Sequence, residues 1–254
     1  MNPRIKMEKV IGMSYGNIVG LVVQKQGQII YENYYKQYSR ASYFHLFSVT
    51  KSIVSLLIGI AIDEGLIESI DQKVLDFFPD YIVRKGEKTI QEVTLRHLLT
   101  MTAPYRQKKD DYNAFFSSKD WVKASLDELG GRDKIGDFRY APLIGPDILS
   151  GILVKVTGES VLEFANKKLF EPLGIKVNET IQFESEKAQL DWYKEDKKSS
   201  WVAGPTGVHT AGWGICLRAV DMAKIGQLVL QEGRWEDGRL ISSNWLQEMK
   251  SVTG

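Results

Sequence analysis

The sequence predicts an α+β fold, and three features carry that reading. Residues 17–23 (Asn-Ile-Val-Gly-Leu-Val-Val) and 28–35 (Gln-Ile-Ile-Tyr-Glu-Asn-Tyr-Tyr) are short apolar runs around a polar turn ending in Gly27, the pattern of a β-hairpin. From Val49 to Ile62 apolar residues fall on every side of a 3.6-residue helix, so that helix should be buried all round. After it come further helical patterns with their own start and stop signals, and no repeat or low-complexity linker divides them.

In chain order, the first motif is Gly12-Met13-Ser14-Tyr15-Gly16, which fits the Gly-x-Ser-x-Gly nucleophile elbow. That elbow needs a strand before it and a helix after it, whereas here a strand follows, so the match is rejected. The long helix stops at Gly65. Short apolar pieces run from Leu66 to Tyr81, and Thr94 then caps a short helix in which His97 lies beside leucines and reads as structural. Residues 105–137 are polar and read as a surface excursion containing a helix near Trp121–Leu129. Pro146 to Val156 begins an apolar helix closed by Gly158, and Val161–Phe170 forms the next. The strongly charged stretch 184–200 reads as a loop, Ala219–Gln231 as a last good helix, and residues 233–238 as a turn.

A chain of 254 residues can bury a substantial core as one domain, with room for two lobes. Net charge is +1 and the cations are spread along the chain, so neither nucleic acid nor a membrane surface is an expected partner. Cys216 stands alone, which excludes an internal disulfide framework, and with His45, His97 and His209 scattered the sequence predicts neither metal nor cofactor. The N-terminus lacks an apolar signal core, and the longest apolar run, Ile53–Ile62, is too short to span a membrane. The chain as written therefore reads as cytoplasmic; a secreted protein with its leader removed would read the same way.

Ser48 sits where a helix N-cap belongs, and the plainest reading is that it only caps. Lys51 argues otherwise. A capping box wants Glu or Gln three residues after the cap, whereas a cation in the first turn opposes the helix dipole by about 0.3–1 kcal/mol. A local rule broken inside a buried element points to function. Ser48 and Lys51, at i and i+3, share one face and form the only Ser-x-x-Lys of the chain, the arrangement of acyl-transferring serine enzymes. From the residues alone, cap and nucleophile both remain open.

Five stretches, in order, resemble the serine β-lactamase superfamily, in the branch that holds class C β-lactamases, D-alanyl-D-alanine carboxypeptidases, β-lactamase-fold esterases and 6-aminohexanoate-dimer hydrolases. Phe47-Ser-Val-Thr-Lys-Ser is similar to the nucleophile box, and Gly65-Leu-Ile-Glu-Ser-Ile-Asp71 to the segment after it. Thr94-Leu-Arg-His-Leu-Leu-Thr-Met-Thr102 resembles the family's leucine-leucine-threonine helix. Phe138-Arg-Tyr140 with Leu149–Gly158 resembles the second box and its helix, and Gly212–Gly226 the late glycine turn and helix. The resemblance implies one β-lactamase/transpeptidase-like domain over residues 1–254. Residues 1–64 and 201–254 would form an antiparallel-sheet lobe, and 65–200 a helical lobe. It further implies Ser48 as nucleophile, Lys51 as its proton acceptor or electrostatic partner, Tyr140 as proton shuttle, and the Ser48 N–H as an oxyanion donor.

Two departures shape the expected function. Penicillin-recognising members carry Tyr-x-Asn in the second box, but here it reads Tyr140-Ala141-Pro142, and proline has no side-chain hydrogen bond to offer. A small-molecule ester or amide is therefore expected as substrate ahead of a β-lactam. Family members also continue through a third box on a central strand, whereas this chain stops at Gly254. His209-Thr-Ala-Gly212 is similar to such a box but precedes the late glycine turn, so His209, Gly212 and Trp213 are substrate-binding candidates. The expectation is an incomplete sheet and a weak enzyme, or one completed by a second copy or a further segment. The rival expectation is a penicillin-binding-like protein that binds ligands without turnover.

Overall fold

The structure, a computed structural model, describes residues 3–107 and 112–251. The N-terminal helix α1 (Pro3–Ser14) precedes the hairpin of β1 (Gly20–Lys25) and β2 (Gln28–Tyr34), which carries a register shift between Val23 and Gln24. Sequence periodicity gave no sign of α1, and Ser14 of the rejected elbow lies at its last residue. Strand β3 (Tyr43–His45) leads directly into α2 (Val49–Asp63). Its buried stretch is Leu56–Ala61, all round as expected, but the first turn is open, with Val49 52% exposed. That opening is where the site lies.

The helical part continues with α3 (Leu95–Leu99), α4 (Tyr112–Ser117), α5 (Trp121–Glu128) and α6 (Pro146–Thr157), then α7 (Val161–Ala165), which runs on as a π-helical turn over Asn166–Phe170. Helix α6 packs against α2 and α5, and its buried Ile148, Leu149, Ile152 and Leu153 join the core that α2 fills from the other side. The stretch 105–137 is less of a surface excursion than expected: Tyr105, Phe115, Trp121 and Val122 are all buried.

Strand β4 (Glu179–Ile181), helix α8 (Glu186–Lys194), strands β5 (Ser200–Val202) and β6 (Ile215–Arg218), and helix α9 (Ala219–Leu230) follow. The expected loop over 184–200 is thus largely a helix. Ser185 caps it, and Lys187 pairs with Asp191 at i, i+4. No residue of α8 is fully buried, which is why hydrophobic periodicity missed it. The main sheet runs β3-β6-β5-β4, antiparallel except for the parallel β4–β5 pair, with Phe44 opposite Leu217 and Trp201 opposite Ile215. Hairpin β1–β2 lies against α9 and is not hydrogen-bonded to that sheet; among the described residues no sheet has five strands.

A third, minimal hairpin of β7 (Arg234–Trp235) and β8 (Gly238–Arg239) sits at the expected turn, followed by α10 (Ser243–Lys250), which the sequence reading did not find. Helix α10 docks on α2 through one close approach. A Cβ on Gly59 would lie 2.1–2.4 Å from the Trp245 ring, and that indole donates to the Ser55 carbonyl at 3.0 Å.

Two magnitudes oppose each other at Gly59. Alanine in a helix interior gains about 1 kcal/mol over glycine by propensity, whereas overfilling a packed contact costs about 1–3 kcal/mol. We expect Gly59→Ala to destabilise the native chain and to stabilise a Trp245→Ala background, measured by urea unfolding as a double-mutant cycle. Stabilisation in both backgrounds would show that the ring does not occupy that space.

Candidate active site

Ser48 stands immediately ahead of α2 but does not cap it: its side chain makes no capping bond. The backbone turns there through Phe47, whose φ of 46° is unusual for a bulky residue. The Ser48 Oγ instead lies 3.1 Å from the Lys51 Nζ and 3.1 Å from the Tyr140 hydroxyl. Lys51 donates a second hydrogen bond, 2.7 Å, to the Gly212 carbonyl, and its Nζ is 5.9 Å from the centre of the Tyr140 ring. Burial disfavours the ammonium and pulls the Lys51 pKa down to about 8, against a smaller upward pull from Asp147. The start of α2 adds a positive dipole end, where the Val49, Thr50 and Lys51 N–H groups bond the carbonyls of Leu46, Phe47 and Ser48.

Tyr140 reaches this point from another part of the chain, on a segment tied to the end of α3. Thr94 and His97 form the cap of that helix, the His97 Nδ1 accepting from the Thr94 N–H at 3.0 Å, so the structural reading of His97 agrees with its contacts. Beyond α3, Met101 takes a φ of 55° and its carbonyl accepts from the Arg139 N–H at 2.8 Å. The Arg139 guanidinium donates to the Tyr105 carbonyl at 3.1 Å and lies over the Tyr105 ring. The residue next to Tyr140 is thereby fixed on both its backbone and its side chain.

The third part of the site is the 209–213 segment, which precedes β6. Gly212 presents its carbonyl to Lys51 and packs so closely on the second box that a Cβ would lie 2.5 Å from the Pro142 carbonyl oxygen. Trp213 is buried in an aromatic cluster with His45, Phe116, Phe183, Trp192 and Tyr193. The same cluster reaches the exposed Phe47 ring through His45 and Tyr193. His209 is placed differently from the other two candidates. Its Nε2 bonds the Thr180 hydroxyl at 3.0 Å, its ring lies on Trp201, and it makes no bond or ring contact with Ser48, Lys51 or Tyr140. Burial holds its pKa down at about 4.

One group at the site escaped the sequence reading. Asp147, in the first turn of α6, is 3% exposed, and its Oδ1 accepts from the N–H groups of Ala211 (2.8 Å) and Gly212 (3.4 Å). The available signal was a single carboxylate in the otherwise uncharged run from Tyr140 to Val154. Among the described residues no group of three His, Cys, Asp or Glu side chains could hold a metal ion, and no helix is long and apolar enough to cross a membrane.

A seryl hydroxyl with an amine and a phenol each at 3.1 Å, at the positive end of a helix, sits on an α+β scaffold whose central helix is buried. The Beta-lactamase family model matches residues 6–252, and the chain belongs to that family, within the serine β-lactamase superfamily. A curated relative, the 6-aminohexanoate-dimer hydrolase of Paenarthrobacter ureafaciens, is 23% identical over 240 residues. That match takes in 90% of this chain and 56% of the relative, so the chain spans little more than half of the relative's length. Among solved structures, the octameric penicillin-binding protein homologue from Pyrococcus abyssi has a TM-score of 0.67 at 20% identity, covering 99% of this chain and 60% of that one. A penicillin-binding protein homologue from Caulobacter crescentus gives 0.69 at 19% identity, covering 96% and 72%. At such identities these two show the shared fold.

The Lys51 environment has a measurable consequence. Its lowered pKa means that the neutral amine grows in as pH rises through about 8, well below the usual lysine range. If the amine takes the Ser48 proton, fluorophosphonate labelling should speed up between about pH 7 and 9 with that midpoint. Lys51→Arg should abolish this rise. A wild-type rise centred where free lysine titrates would mean that Lys51 is solvated and uncoupled from Ser48.

Proposed function

We propose that this chain is a serine hydrolase that works through an acyl-enzyme on a small-molecule ester or amide. The observation that carries the reading is the double contact of the Ser48 Oγ, 3.1 Å from Lys51 Nζ and 3.1 Å from Tyr140 OH. Family membership and a relative named as a hydrolase support the reaction class.

In this reading the Ser48 oxygen attacks the carbonyl carbon while its proton passes to the neutral Lys51 amine. The Ser48 N–H at the start of α2 donates to the developing oxyanion. Tyr140 passes a proton to the leaving alkoxide or amine, which departs and leaves Ser48 acylated. Water then attacks the ester, giving its proton back through the same groups and releasing the acid. Removing either proton carrier should slow acylation by about 10²–10⁴-fold. Pro142 stands where penicillin-recognising members carry an asparagine, so an acylamide side chain finds no amide partner at that position. This favours simple esters and linear amides over penicillins, in keeping with the dimer hydrolase named among the relatives.

The test is adduct mapping followed by kinetics. Fluorophosphonate should label one residue, Ser48, and Lys51→Ala and Tyr140→Phe should each slow labelling by the factor above while melting normally. Values of kcat/KM for p-nitrophenyl esters should exceed those for benzylpenicillin. An adduct on another serine would overturn the assignment; a Ser48 adduct without turnover of any ester would favour a binding protein.

A further inference from the structure

We propose that Asp147 is a positioning residue for Lys51: its buried carboxylate fixes the Ala211–Gly212 backbone so that the Gly212 carbonyl meets the ammonium. The inference rests on the reading of Lys51 as the base of the site. It also has a readout independent of that reading.

The connection is continuous. Asp147 Oδ1 accepts the Ala211 N–H at 2.8 Å and the Gly212 N–H at 3.4 Å, and the carbonyl of that same Gly212 accepts from Lys51 Nζ at 2.7 Å. An acidic residue in the first turn of a helix ordinarily stands in water and interacts with the dipole. Asp147 instead turns inward at 3% exposure and bonds a segment 64 residues away. A carboxylate out of water is costly unless its oxygens are bonded, so two convergent N–H groups are the minimum it needs. The arrangement also leaves no slack, because a Cβ on Gly212 would lie 2.5 Å from the Pro142 carbonyl oxygen on the segment that carries Tyr140. Asp147 therefore holds a backbone group, that of Gly212, which bonds the lysine and packs on the tyrosine-bearing loop.

Charge matters as well as shape. Burial pushes Asp147 up to about 6, opposed by its two backbone bonds and by Lys51. Asp147 in turn raises the Lys51 pKa against the desolvation that lowers it. The other groups facing Lys51 are the Ser48 hydroxyl, the Tyr140 phenol, and Arg96 and Glu248 across a cavity of about 270 Å³. Those last two are paired at 2.6 Å, and Arg96 also pairs with Asp71. Asp147 is thus the buried carboxylate acting on Lys51.

Asp147→Asn separates the two contributions, since an amide oxygen can still accept from Ala211 and Gly212 but carries no charge. The first readout is the Lys51 titration, followed by NMR of ¹³Cε-labelled lysine and assigned by Lys51→Arg. The second is the pH profile of Ser48 labelling by fluorophosphonate. In folded Asp147→Asn, the Lys51 midpoint should fall by about one unit, the low end of what a neighbouring charge does. The labelling profile should move to lower pH by the same amount. Asp147→Ala, which also frees the backbone, should lose about 10²-fold in labelling rate, the scale of a 1 Å misplacement. A Lys51 midpoint and labelling rate in folded Asp147→Ala no different from those in Asp147→Asn overturn the inference, because freeing the backbone would then make no difference to the amine. A midpoint that falls further in Asp147→Ala than in Asp147→Asn while Ser48 never reacts would support the positioning role and remove the hydrolase reading instead.

Discussion

A lysine ammonium partly withdrawn from water at the mouth of a buried helix is the constraint to which the rest of the site answers. An ammonium has three N–H donors, and withdrawing it from solvent costs several kcal/mol unless they are met. Ser48 Oγ and the Gly212 carbonyl accept two, and the Tyr140 ring lies 5.9 Å from the same nitrogen. For the carbonyl to be there, Gly212 must lie against Pro142, which leaves no room for a side chain. For Pro142 to be there, the segment leading into Tyr140 must be pinned, and the hydrogen bonds of Arg139 to the Met101 and Tyr105 carbonyls do so. Each element of the site is thus needed by the next.

The same region is where the fold gives up stability. Phe47 holds a left-handed backbone at about 1–3 kcal/mol, Lys51 opposes the dipole of its own helix, and Asp147 keeps a carboxyl group out of water. What tolerates this is the far half of α2. Val54, Leu56, Leu57, Ile58 and Ile60 are almost wholly buried, each stabilising by about 1.5–3 kcal/mol. Exposed pairs such as Lys123–Asp127 and Lys187–Asp191 contribute little beside that.

The parts legible in the sequence were those in which one signal dominates. The apolar run of α2, the Pro146 start of α6 and the Thr94 cap of α3 all gave elements within a residue or two of the observed bounds. Ser48, Lys51 and Tyr140 were legible because spacing and family resemblance name residue types, and the structure brings those three together. Helix α8 was not, because a helix held by a cap and surface ion pairs has no apolar stripe to read. Helix α10 left only Trp245, Leu246 and Met249 as a short stripe, too brief to stand out. Asp147 and the separation of His209 from the site depend on which way a side chain turns. Position along the chain does not encode that.

The site is written in three widely separated places. Ser48 meets Tyr140 across 92 residues, and Lys51 meets Gly212 across 161. Closing loops of that length costs chain entropy that local helices never meet, and contacts of such range form late. On a ribosome, Lys51 lacks its Gly212 acceptor until that segment has emerged, by which time α2 and α3 can already have formed. The meeting of Ser48, Lys51, Tyr140 and Gly212 is therefore a reporter of completed tertiary assembly, and a chain can show its full helical content before those groups come together.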